Sequence, residues 1–225
     1  MDRKSLIWAS IFAVSMAFFE SAVVVYLREI AYPSGFSLPI KALSSTLSLT
    51  EILRELFSLV MLLSVSALIA KKRLERFGWF LYIFAVWDIF YYIFLKLILG
   101  WPASFFTTDI LFLVPVVWTG PVLAPLLLTI LMILFSMLIL KTTSKRRYLH
   151  LRGRELFLLI LGSLVVILSF TFDYFINSQS NSLGSLSRSA YMPGNFYWFI
   201  FAAGYILILW GIIRFFVDNR KLLGR

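Results

Sequence analysis

Cysteine is absent from the 225 residues, and histidine occurs once, as His150 in a basic loop. The first absence excludes disulfides, thiolate catalysis, iron–sulfur clusters and cysteine-ligated zinc. The second removes bis-histidine haem and histidine-rich diiron or zinc chemistry. Phosphate-binding glycine loops, HExxH and CxxC motifs are missing too, so no metal and no cofactor is expected. Chemistry is left to carboxylates, Arg, Lys, Tyr, Trp and hydroxyls. Charge is also scarce, at 14% of residues against 61% hydrophobic, with a mean hydropathy of +0.92. A soluble domain needs more polar surface than this to cover its core, so lipid is the expected solvent.

What the chain does have is long charge-poor runs. They lie at about 6–27, 50–70, 78–98, 109–140, 155–176 and 195–217, each long enough for the roughly 20 residues that cross a bilayer core as a helix. Spanning β-strands would be about half that length and would alternate in polarity. The expected fold is therefore an all-α polytopic membrane helix bundle of about six transmembrane helices, one integral membrane domain over 1–225. The first run continues through Phe18 to Leu27, too long for the core of a cleaved signal peptide, and reads as a span. The fourth is too long for one crossing and holds Pro115, Gly120, Pro121 and Pro125. Proline removes a backbone donor and clashes with the preceding turn, so a straight helix is excluded there. Two readings fit: a short dipping or interfacial segment at 109–119 followed by a crossing helix at 121–140, or one tilted helix with a proline kink.

Basic residues set the orientation. Of 21 Lys and Arg, the N-terminus, the 71–76 connection, residues 141–154 and the C-terminus hold 16. That alternation makes both termini cytoplasmic, N-in and C-in, by the positive-inside rule, in a multi-pass protein of a prokaryotic cytoplasmic membrane. The net charge of +10 then reflects anchoring rather than nucleic acid. The polar stretch 177–189 reads as an external loop over the mouth of the bundle, placed to act as a lid.

Seven of the 11 acidic residues fall at mid-membrane depth or on the outer side: Glu20, Glu29, Glu51, Glu55, Asp88, Asp109 and Asp173. The positive-inside rule alone would not sort acids in this way. Glu20 adjoins a stripe of small residues, Ala9, Ala13, Ala17 and Ser21, whose spacing lets helices approach closely, so it is expected to face a neighbouring helix. Glu51, Arg54 and Glu55 share one helical face and can share charge or a proton. The plainer reading is capping, with Thr50 as N-cap and Glu51 favouring the helix dipole. Asp88, Tyr92 and Lys96, four residues apart, form a ladder rising outward. Asp88 is the costliest of the carboxylates, because it is too deep and too short to snorkel. Asp109 has an adequate role as a cap of the broken fourth span, and Asp173 belongs to a terminal polar face. Trp118, beside the Pro/Gly break, is a candidate wall.

The candidate catalytic residues are thus Glu20, Glu55 and Asp88, and the candidate substrate-binding residues are Arg54, Tyr92, Lys96 and Trp118. Carboxylates in shifted environments suit proton transfer. The leading expectation is an outward-facing intramembrane site for a lipid or isoprenoid substrate, in a membrane-embedded enzyme or binding protein, with membrane lipid as the surrounding partner. A non-catalytic subunit or assembly factor is the first alternative, and a small proton- or cation-coupled transporter the second. The sequence carries no sign of oligomeric state.

Overall fold

The computed structural model describes residues 2–32, 44–113, 116–143, 151–180 and 193–223. Its elements are α1 (Arg3–Ala31), α2 (Ser45–Ile69), α3 (Arg73–Leu99), β1 (Thr108–Phe112), β2 (Trp118–Pro121), α4 (Leu123–Thr143), α5 (Gly153–Ser180) and α6 (Trp198–Leu223). All six helices are long and apolar enough to cross a membrane. The molecule is an all-α helical bundle, the architecture of a multi-pass integral membrane protein.

Local chemistry sets the helix ends. Asp2 accepts from the backbone N–H groups of Lys4 and Ser5 at the start of α1. Ser44 accepts from Leu47 N–H at the start of α2. Helix α3 stops at Gly100, whose φ of 66° is left-handed, while its N–H closes on the Lys96 carbonyl. The start of α2 corrects the capping reading of its acids. Thr50 lies inside the helix, its hydroxyl donating to the Thr46 carbonyl, so Glu51 is beyond the first turn and has no free N–H groups to cap.

Small residues decide which helices meet. Ala9, Ala13 and Ala17 of α1 are buried against Trp79, Ile83 and Trp87 of α3, and the Ser21 hydroxyl reaches the Tyr91 carbonyl at 3.2 Å. Helices α5 and α6 touch backbone to backbone: a methyl group at Gly162 would lie 2.9 Å from the Gly204 carbonyl oxygen. Exposed Trp8, Leu68, Leu97 and Phe199 belong to the apolar outer surface, where acyl chains cover what a soluble protein would bury.

The fourth charge-poor run is broken as expected into a short segment and the crossing helix α4, and the short segment is strand-paired rather than part of a kinked helix. The strands Thr108–Phe112 and Trp118–Pro121 pair as an antiparallel hairpin with Thr108 opposite Pro121, Asp109 opposite Gly120 and Ile110 opposite Thr119, and an irregularity before Phe112. Strand pairing satisfies backbone groups that a broken helix would leave open. Helix α4 then begins after Pro121 and accommodates Pro125 in its first turn, where no intrahelical donor is needed. Pro115 lies outside the described residues, as do His150 and residues 181–192. The polar stretch read as a loop from 177 onward is still helical through Ser180.

Contacts sort the polar groups to two ends. At one, Arg28 at the end of α1 lies 4.1 Å from the ring centre of Trp101 after α3, and Asp173 near the end of α5 accepts from Gly194 N–H. At the other, Arg152 before α5 pairs with Asp218 of α6 at 2.8 Å.

Candidate functional site

A cavity of about 420 Å3 lies where α1, α2, α3, the hairpin, α4 and α5 converge. Of the residues singled out from the sequence, Glu20, Arg54, Glu55, Asp88, Tyr92 and Trp118 all line it. Lys96 is not among the lining residues. Its ammonium donates to the carbonyls of Gly100 and Pro102 at 3.0 and 2.9 Å, which ties down the turn after α3. The expected ladder from Asp88 through Tyr92 to Lys96 therefore divides, one rung serving the cavity wall and the last serving the helix end.

Arg54 is the hub of the α1–α2 contact. Its guanidinium donates to Glu20 on α1 and grips Glu51, three residues back on its own helix, at 2.5 and 2.9 Å. All three side chains are at most 18% exposed. One planar cation held between two carboxylates is a geometry that Arg supplies and Lys does not. Glu55, one turn further on, is drawn elsewhere: both its oxygens accept from Leu113 N–H, at 3.1 and 2.9 Å. That N–H belongs to the residue just after β1, where the strand ladder ends and the donor needs another partner.

Asp109 is buried on β1 and accepts from the Tyr92 hydroxyl at 3.1 Å. Burial pushes its carboxyl up to about 7, against the lowering pull of Arg28 and of the Tyr92 hydroxyl. It joins the cavity wall rather than capping a helix. Asp173 likewise has a structural partner in Gly194.

Asp88 differs from all of these. Among the described residues it makes no hydrogen bond and no ion pair, and its Oδ2 is sealed from solvent without a partner. The charges that act on it are Asp109 and Glu20, both carboxylates. The indole N–H groups of Trp87 and Trp118, also on the wall, lack partners as well. A buried polar atom left unpaired is uncommon enough to require an explanation.

Counted together, five carboxylates (Glu20, Glu51, Glu55, Asp88, Asp109) face two guanidiniums (Arg28, Arg54) around the cavity. Among the described residues no three His, Asp or Glu converge as a metal ion would need. Sequence reasoning did not assign Glu51, Asp109, Arg28 and Trp87 to the site. Their residue types were visible, but the true start of α2 and the hairpin that carries Asp109 were not. Comparison with protein-family models, with curated proteins and with solved structures finds no match.

Proposed function

We propose that this protein takes the polar head of a lipid-like or isoprenoid amphiphile into the cavity, on the outer side of a prokaryotic cytoplasmic membrane, as a membrane-embedded enzyme or binding protein. Asp88 is the central acid–base or binding group, with Glu20 and Glu55 beside it. The observation that carries this reading is Asp88 itself, a carboxylate with no partner among the described residues, on a cavity wall that also holds two indoles without one. Keeping such a group inside an apolar bundle is costly without a use. The volume lies within the range of small-molecule sites, roughly 300–1,000 Å3. Tyr92 and Trp118 furnish aromatic surface for the non-polar part of the molecule, and Arg54 holds Glu20 in position. The outward assignment follows from the basic residues at the opposite end.

The Arg54 pairs and the bond from Leu113 to Glu55 favour a second reading, a non-catalytic subunit or assembly factor whose polar cluster only locks elements together. Those contacts leave Asp88 out, so Asp88 separates the two. An apolar cluster around Phe135 and Phe215 packs α4 against α6 away from the cavity, which weighs against a small transporter.

The test is Asp88→Asn, examined for growth and lipid-profile complementation of a deletion strain and for thermal stability in detergent. Lost complementation with stability kept is the expected result. Full complementation with normal stability removes Asp88 from the site, and loss of both leaves the locking role ahead.

A further inference from the structure

We infer that the head received by this cavity is an organic cation, a primary or quaternary ammonium carried on an apolar chain. This rests on the amphiphile reading above and narrows it. Among the described residues, the cations near the cavity that would hold an anionic head are already committed. Arg54 is shared by Glu20 and Glu51, Lys96 is bound to two backbone carbonyls outside the wall, and Arg28 lies against Trp101. A phosphate or carboxylate entering beside Asp88 would meet the carboxylates of Asp109 and Glu20, while the two guanidiniums on the wall already lie against Trp101 and between Glu20 and Glu51. Repulsion is poorly screened in an apolar bundle. A cation instead supplies the partner that Asp88 lacks.

The walls say which kind of cation. Carboxylates that do not converge on one point are ill suited to a small metal ion, which needs several oxygens at fixed short range. A larger, more diffuse ammonium needs charge of opposite sign nearby and ring faces around it. Trp87, Tyr91, Tyr92, Trp118, Phe84 and Phe170 provide the rings. Trp87 is only 6% exposed, with its ring forming part of the wall next to Asp88. Carboxylate and rings together match an ammonium head.

The experiment uses the full chain in a non-ionic maltoside detergent and follows its thermal unfolding midpoint with four octyl probes: octyltrimethylammonium, octylamine, octyl phosphate and octyl glucoside. Tetramethylammonium serves as the tail-less arm. A ligand that binds the folded form raises the midpoint in proportion to its occupancy. Both ammonium amphiphiles should raise it saturably, and the phosphate and glucoside should not. Asp88→Asn should raise the half-saturating concentration at least tenfold, whereas Lys141→Gln, on an exposed residue at the other end, should leave it unchanged. If Asp88→Asn fails to fold, Trp118→Leu, which removes a ring face and no charge, should raise it severalfold; no change would overturn the inference. Asp88-dependent binding of the phosphate or glucoside, equal to or tighter than that of the ammonium probes, overturns the cation and keeps the amphiphile. Tetramethylammonium binding as tightly as its octyl relative keeps the cation and overturns the amphiphile. If no probe binds, or all act alike on the native protein and Asp88→Asn, the site itself falls.

Discussion

Replacing Arg54 by Met keeps much of the side-chain volume but leaves Glu20 and Glu51 without the cation they share. Both pairs are largely withdrawn from solvent, at 18% exposure for Arg54 and 13% and 9% for its partners. Removing one member of a buried pair typically costs about 3–5 kcal/mol, because the remaining charge is left uncompensated. At roughly 2–4 °C per kcal/mol for a chain of this size, the midpoint should fall by roughly 6–20 °C. The same principle makes a sharper demand. Replacing all three residues, Glu20→Gln and Glu51→Gln together with Arg54→Met, removes the stranded charges and should restore most of the lost stability. The assay is thermal unfolding of the three single variants and the triple variant in one detergent. Two results would refute the reasoning. A single Arg54→Met within about 1 kcal/mol of the native protein would mean that the pairs contribute no more than surface ones do. A triple variant no better than Arg54→Met would mean that Arg54 acts by packing rather than charge.

Other expectations are equally specific. Gly120→Ala would put a methyl group 2.8 Å from the Phe170 ring and 3.1 Å from Phe196, so it should destabilise by about 1–3 kcal/mol, as overpacking does; an unchanged unfolding midpoint would contradict the hairpin packing. Burial raises the Asp109 carboxyl from its ordinary 3.8 to about 7 among Arg28, Tyr92, Glu20 and Asp88. The folded protein therefore takes up this proton before the unfolded chain does, and stability should rise as pH falls from about 7 towards about 4. Asp109→Asn should flatten that rise, and identical pH profiles for the two proteins would remove Asp109 as its source. For orientation, single cysteines introduced at Ser144 and Ser185 should react with a membrane-impermeant reagent only at Ser185; the reverse pattern would move the acidic cavity to the cytoplasmic side.

The sequence by itself determined that this is a six-helix membrane bundle, because the length of an apolar run is a local property and the bilayer sets the length required. It also determined which carboxylates are costly, since depth along a span follows from counting residues. Glu20, Arg54, Glu55, Asp88, Tyr92 and Trp118 were legible as candidates on that ground. Tertiary structure decided everything that depends on partners far apart in the chain. Leu113 lies 58 residues beyond Glu55 yet donates to it, and Arg54 reaches back 34 residues to Glu20. No helical spacing encodes such pairs; they arise where packed backbones bring an unmet donor to an unmet acceptor. The pairing of β1 with β2 was hidden for a related reason. Pro and Gly announce that a helix must break, but whether the freed backbone pairs with itself depends on the space that Phe170 and Phe196 leave beside Gly120. Lys96 was misleading because its four-residue spacing from Tyr92 is real, while its ammonium is held by the carbonyls of Gly100 and Pro102 in the turn after α3. The unpaired state of Asp88 is likewise a property of its surroundings, visible only once the donors of the described residues around it are placed.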